Sequence, residues 1–254
     1  MNNLSIITKV KLSVAISLMI VLSPQVSFAH KSHKTIILNT TGNAPLNDKQ
    51  MHGFMDLIAV EAFKRIGVTL KTVSLPAERG LLNANKHKIH GEMSRIAGIQ
   101  NTYANLVQVP EKIMDWEFVA VGKSKLNTQS GWKSLTGKQV AFINGWKILE
   151  KYIAPVTDIT KVKGPDALFR LLQSNRADFI VYEHWASEKY IKDLSLENVY
   201  AHFPALVTRE MFIYLHKDHA QLVDKLATAL KNMKSDGTYN KIKKRTLKHY
   251  MKHQ

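Results

Sequence analysis

The feature that most restricts this chain is an alternation of short β-rich runs with stretches of helical periodicity, which breaks off once near residue 122 and starts again near residue 139. Thr35-Ile36-Ile37-Leu38-Asn39 is β-rich and runs into the turn cluster Thr41-Gly42-Asn43-Ala44-Pro45. Phe54, Leu57, Ile58, Ala62 and Ile66 then recur at helical spacing, with Gly67 as the stop. A strand over 68–75, closed by Pro76, a short helix over 78–85 and a strand over 91–96 complete a β-α-β-α-β succession. That order predicts a mostly parallel sheet with helices on its faces. A strand over 116–122 leads into a polar stretch, 123–130, suited to a crossing between lobes. The pattern then restarts: a strand over 139–143, the turn Asn144-Gly145, helices over 147–153 and 166–174, a strand over 177–182, a helix over 184–192 and a strand over 211–216. Leu222, Leu226, Leu230 and Met233 mark a long helix stopped at Asp236-Gly237. The expected fold class is α/β, in two lobes.

Composition limits what can hold and surround these lobes. There is no cysteine, which excludes a disulfide, a zinc-thiolate centre and a cysteine nucleophile. With 45% hydrophobic and 22% charged residues, the chain carries enough apolar surface for a packed core. At the start, Lys9 and Lys11 precede an apolar run over 12–22, then Pro24 and the small-residue pattern Ser27-Phe28-Ala29. This predicts a secretory signal peptide, residues 1–29, cleaved after Ala29 to leave a protein free in the periplasm. The run is about half the length needed to span a bilayer. A formal net charge of +16 is then a solvated surface, and nucleic acid is not expected as a partner of an exported chain without a binding motif for it. The basic tail, with Lys241, Lys243, Lys244, Arg245, Lys248 and Lys252, is either a solvated helix or a contact for anionic lipid headgroups.

Several local phrases, taken in order, resemble the family 3 solute-binding proteins, the periplasmic receptors of polar amino acid uptake systems. They are Gly53-Phe54-Met55-Asp56-Leu57, Leu75-Pro76-Ala77-Glu78-Arg79, Ala177-Asp178-Phe179-Ile180-Val181-Tyr182-Glu183 and the closing Lys234-Ser235-Asp236-Gly237. The resemblance implies a two-lobe clamp of the periplasmic-binding-protein type II kind. Lobe 1 would comprise residues 30–120 with 206–254 and lobe 2 residues 121–205, with hinges near Gly122 and 204–208. It also implies a monomeric receptor without cofactor that captures a small polar or anionic solute, an amino acid or organic acid, for an inner-membrane ABC-type permease. The chain departs from the family's usual pattern at ligand-contacting places: Pro45-Leu46 replaces an aromatic residue, His90 an aspartate, and the stretch Ala97 to Thr102 the carboxylate clamp. It more nearly resembles a divergent branch marked by Pro-x-x-Arg and by an arginine ending the third strand.

Arg79 and Arg95 stand at the mouths of neighbouring strands, and guanidinium groups fork onto carboxylate or phosphate, so both are candidate anion anchors. The alternative for each is an ion pair with Glu78 or Glu92. Glu183 follows an apolar strand where the family places an aspartate that holds an amino group. Asn43, Asn144 and Gly145 offer turn-borne donors, and Trp146 and Tyr182, with Trp116 and Trp185, are the aromatics nearest the expected cleft. His30-x-x-His33, His87-x-x-His90, His216-x-x-His219 and His249-x-x-x-His253 have spacings that metal sites use, yet none carries a carboxylate in the expected arrangement, and no metal site is expected. No nucleophile elbow, phosphate-binding glycine loop, zinc helix or serine β-lactamase motif is present, which by itself does not exclude an enzyme; what the resemblance implies is a binding protein that makes or breaks no covalent bond. Two alternatives remain: a dehydratase-like cleft enzyme using Glu183 or Glu92 as acid, and a sensing module that docks to a membrane receptor.

Overall fold

Strand β1 (Thr35–Thr40) lies between β2 (Thr69–Ser74) and β3 (Gly91–Ile96), parallel to both, in a computed structural model that describes residues 35–40, 43–153 and 158–250. The expected signal peptide lies outside the described residues. Helix α1 (Phe54–Arg65) connects β1 to β2 and buries Phe54, Met55, Ile58, Ala59, Ala62 and Phe63. Each large apolar side chain so buried contributes about 1.5–3 kcal/mol. Its first turn is tied by Asp56, a buried carboxylate that accepts from the N–H groups of Gly53 and Asp48 and from Asn47 Nδ2. Gly67, at φ +71°, takes the left-handed turn that ends the element. Helix α2 (Ala77–Asn85) follows β2.

The second half repeats the plan. Strand β6 (Gln139–Ile143) lies parallel to and between β7 (Asp158–Val162) and β8 (Phe179–Glu183). Helices α3 (Lys147–Tyr152), α4 (Pro165–Gln173) and α5 (His184–Asp193) connect and follow them. Between the halves run two long strands, β5 (Met114–Gly122) and β9 (Tyr200–His216), paired antiparallel from Met114↔Met211 to Gly122↔Tyr200. The far part of β5 pairs with β8, whereas the late part of β9 pairs with β3 and with β4 (Leu106–Gln108). The sheet order is β2-β1-β3-β9-β5-β8-β6-β7, with β4 on β9.

The sheet is therefore mixed: parallel trios at its two ends and an antiparallel centre. The expected strand over 211–216 is the end of a 17-residue strand that begins at Tyr200. Residues 200–210 are mostly exposed or half-buried, and their short apolar run, 203–207, contains Pro204, a residue that argues against a strand; pairing with β5 extends the strand through them. Strands β4 and β7 were not anticipated: the first is three residues long and the second an exposed edge. After β9 the chain forms α6 (Val223–Ser235) and α7 (Thr238–Leu247), both packed on α1, so the basic tail buries Ile242 and Leu247 while Lys241, Lys244 and Lys248 are exposed and Lys243 is half-buried. No helix among the described residues is long and apolar enough to cross a membrane.

Candidate functional site

The turn between β6 and α3 meets the start of α2. Gly145, at φ +83°, makes that approach possible: a Cβ there would stand 2.8 Å from the Glu78 nitrogen and 3.0 Å from the Ala77 Cβ. Across the same contact Lys147 Nζ lies 2.5 Å from Glu78 Oε2, and Glu78 also accepts the Tyr103 hydroxyl at 2.8 Å. Burial opposes the Glu78 charge, but the Lys147 ammonium and the Tyr103 hydroxyl overcome it and hold the carboxyl below its usual range. A second tie joins the halves where Asn43 Nδ2 donates to the Tyr182 hydroxyl at 2.9 Å.

Behind these contacts lies an aromatic wall. Trp146 stacks on Tyr182 at 5.3 Å between ring centroids, meets Trp116 at 5.3 Å and stands edge-on to Phe118 at 5.9 Å. Ser94, Arg95, Trp116, Phe118, Trp146 and Lys147 contribute to the lining of a cavity of about 30 Å³, the space of roughly one water molecule. Ile96, Ile99, Lys147 and Ile148 also line a cleft of about 860 Å³, which Lys151, Arg209 and Phe212 border farther out.

Two hydrogen-bonding groups in the inner lining, Ser94 Oγ and Trp116 Nε1, are buried without a partner among the described residues. Arg95, 7% exposed, donates from Nε to Glu92 Oε2 and from Nη2 to the Ala77 carbonyl, each at 2.8 Å. Glu92 is fully buried and accepts from Asn39 Nδ2 as well. Burial raises its carboxyl, and Arg95 and Asn39 offset part of that. The ion-pair alternative for Arg95 is thus present in the structure. The guanidinium nevertheless has five N–H donors, and its Nη1 takes no acceptor among the described residues. The lining therefore has a donor excess.

The other expected residues divide. Asn43, Gly145, Trp146 and Tyr182 come together at the junction of the halves. Arg79 is exposed on α2, with no ion-pair partner among the described residues, and does not line the cavity. Asn144 is exposed, and the N–H groups of its turn are spent internally: Asn144 donates to the Val162 carbonyl, Gly145 to Glu150 Oε1 and Trp146 to the Ile143 carbonyl. Glu183 is buried and caps α5, its Oε2 accepting the Ala186 N–H at 2.9 Å while Oε1 has no partner among the described residues. Burial pushes its carboxyl up to about 7, against the lowering effect of the Ala186 and Trp185 N–H groups. Ser94, Lys147, Lys151 and Arg209 escaped the sequence reading. No local sequence signal marks any of the four.

Residues 138–249 match the sequence model of the bacterial extracellular solute-binding proteins, family 3. An uncharacterized protein of Shewanella oneidensis is 27% identical over 199 residues, 74% of each chain. Among solved structures, an ancestral arginine-binding protein bound to arginine superposes with a TM-score of 0.72 at 20% identity, covering 84% of this chain and 98% of that one. A histidine kinase sensor domain with similarity to periplasmic binding proteins also gives 0.72, at 16% identity over 85% and 96%. The fold is that of the two-lobe, type II periplasmic binding proteins. Over residues 138–249 the sequence is that of a divergent homologue of the bacterial extracellular solute-binding proteins, family 3.

Proposed function

We propose that the protein is a periplasmic receptor that captures a small anionic or polar solute, an amino acid or organic acid, between its two lobes and presents it to an inner-membrane ABC-type permease. The observation that carries this reading is that two buried groups around the inner cavity, Ser94 Oγ and Trp116 Nε1, have no hydrogen-bond partner among the described residues, beside the Arg95 guanidinium, whose Nε and Nη2 are the nitrogens bonded to Glu92 and Ala77. Buried donors without partners are costly, and a carboxylate between them supplies acceptors. Lys147, Lys151 and Arg209 at the wider cleft favour the approach of an anion. The ties Asn43–Tyr182 and Glu78–Lys147 are contacts that closure makes and opening breaks, with β5 and β9 as the strands that bend. The lobes are residues 30–120 with 206–254 and residues 121–205, and the protein acts as a monomer.

Binding rather than covalent chemistry is favoured because neither carboxylate considered as an acid lines the cavity: Glu183 caps α5 and Glu92 pairs with Arg95. A thermal-shift screen of amino acids, organic acids and short peptides tests the reading. A ligand at 100 times its dissociation constant adds about 2.7 kcal/mol of stability. Carboxylate-bearing solutes are expected to stabilise the protein and to contract it in small-angle scattering. Steady conversion of a stabilising solute into product would replace this reading with the enzyme one.

A further inference from the structure

The inner cavity and the outer cleft are two ends of one space. Ile96, Ile99, Lys147 and Ile148 line both, so three isoleucines form an apolar neck between them. Cations stand at each end. Arg95 is at the inner end, beside Ser94 and Trp116. At the outer end Arg209 lies directly across from Trp116 in the β5–β9 ladder, which puts the two side chains on one face of the sheet. Lys151, exposed on α3, stands at the same end. Arg209 is half-buried, and its hydrogen bond among the described residues runs only from Nη1 to the neighbouring Thr208 carbonyl, at 3.0 Å. Neither Arg209 nor Lys151 has an ion-pair partner among the described residues.

The carboxylates of the chain are committed elsewhere. All 20 acidic residues lie within the described segments. Arg95 holds Glu92, Lys147 and Tyr103 hold Glu78, and Glu150 lies 3.4 Å from Lys147 Nζ and 3.6 Å from Lys161 Nζ. Glu210 alone of the acidic residues borders either space; it is exposed, with Lys112 Nζ 3.1 Å away. An ammonium group next to a carboxylate seated at Arg95 would therefore meet isoleucines and the like charges of Arg95 and Lys147, with no carboxylate to receive it.

We propose that the solute is an organic acid with a carboxylate at each end of a short apolar chain and no amino group. One carboxylate lies on Arg95, Ser94 and Trp116, the chain passes the isoleucine neck, and the other carboxylate lies on Arg209 and Lys151. This names the solute of the proposed receptor and rests on that reading. The inner cavity of about 30 Å³ has room for one carboxylate oxygen, and the rest of the molecule occupies the neck and the cleft of about 860 Å³. Burial of the apolar chain favours binding, and a charge taken out of water without a partner opposes it, so the lining rejects an ammonium as well as selecting for two anions. The alternative is a zwitterion that carries its ammonium out to Glu210.

The test is calorimetry on the full chain with four probes: glutarate, adipate, valerate, which lacks the second carboxylate, and L-glutamate, which adds an α-amino group to glutarate. Glutarate or adipate should bind. L-Glutamate should bind roughly 30-fold more weakly or worse, the loss typical of a desolvated charge without its partner, and valerate about 10-fold more weakly. Arg209→Gln should bring glutarate close to the affinity of valerate and leave valerate unchanged. Lys244→Gln, which removes an exposed charge of α7, should change neither. L-Glutamate binding tighter than glutarate or within threefold of it, or an Arg209→Gln variant that weakens glutarate no more than valerate, overturns this inference and leaves the receptor reading standing. Failure of every carboxylate and every amino acid to bind removes both.

Discussion

Asn43, just after β1, donates its Nδ2–H to the hydroxyl of Tyr182 in β8 at 2.9 Å, a side-chain contact between residues 139 positions apart that joins the two halves of the molecule. Tyr182 is itself held against Trp146, so the hydroxyl is presented by a fixed ring. Tyr182→Phe keeps the stack and deletes the acceptor. The loss of one such hydrogen bond is about 1 kcal/mol, a factor of about five in an equilibrium. The ligand-free variant should be slightly less stable in urea and more expanded in small-angle scattering than the parent. An unchanged scattering radius would mean that this contact does not hold the halves together.

Gly145→Ala should hinder closure. An alanine at φ +83° costs about 1–2 kcal/mol in backbone strain, and its Cβ would also press on the Glu78 nitrogen at 2.8 Å. Gly67→Ala is the control: φ there is +71°, but nothing stands within 4 Å of the added carbon. Both variants should lose similar backbone stability, whereas only Gly145→Ala should lose solute affinity in calorimetry. Equal solute affinities in the two would rule out a role for the β6–α3 turn in closure.

Arg95→Ala should destabilise the protein by about 3–5 kcal/mol, because it strands Glu92, a fully buried carboxylate, without its cation. The double variant Arg95→Ala with Glu92→Gln should recover much of that loss in urea unfolding. Arg95→Lys keeps a cation near Glu92 but removes the fork that carries Nη1, so it should stay folded and bind carboxylate solutes more weakly. A double variant no more stable than Arg95→Ala would show that the pair is not what the arginine supports.

Glu183 should make stability fall with rising pH. Its carboxyl rises from 4.5 to about 7 on folding, chiefly through burial, so its contribution is complete below pH 4.5 and is lost as pH climbs toward 7. The shift corresponds to about 3 kcal/mol. Glu183→Gln lacks this titration, and its stability relative to the parent should improve by roughly that amount between pH 4.5 and pH 8, read from urea unfolding at each pH. A constant difference across that range would place the Glu183 carboxyl in contact with water.

Local pattern was enough for most elements. Gly91–Ile96 and Gln139–Ile143 fall where β-rich runs bounded by turn residues put them, and α1 begins and ends at its glycines. Such elements announce themselves because their signal lies within about ten residues. The first half of β9 and the edge strand β7 did not, since Pro204 breaks the apolar run of the one and the other is short and exposed, and both become strands by pairing with β5 and β6.

The site was legible only in part. Asn43, Gly145, Trp146 and Tyr182 were marked by turn chemistry and aromatic character, and the structure gathers them. Glu183 was marked by its place after an apolar strand, but its side chain turns back to cap its own helix. The histidine spacings 87/90 and 216/219 were visible, yet the carboxylate that joins His87 to His216, Asp218, lies between the second pair, and the sequence alone does not show that the pairs meet.

By itself, the sequence determined the α/β succession and its restart, the export-like N-terminus and the cysteine-free core, since each is written in short windows of residue type and order. Only the tertiary structure decided that the sheet centre is antiparallel, that Arg95 spends much of its fork on Glu92, that Ser94 and Trp116 share a cavity, and that four histidines collect at one end of β3. These are relations between residues tens to more than a hundred positions apart. They depend on strand register, and register is set by the packing of the whole sheet and by no single segment of it.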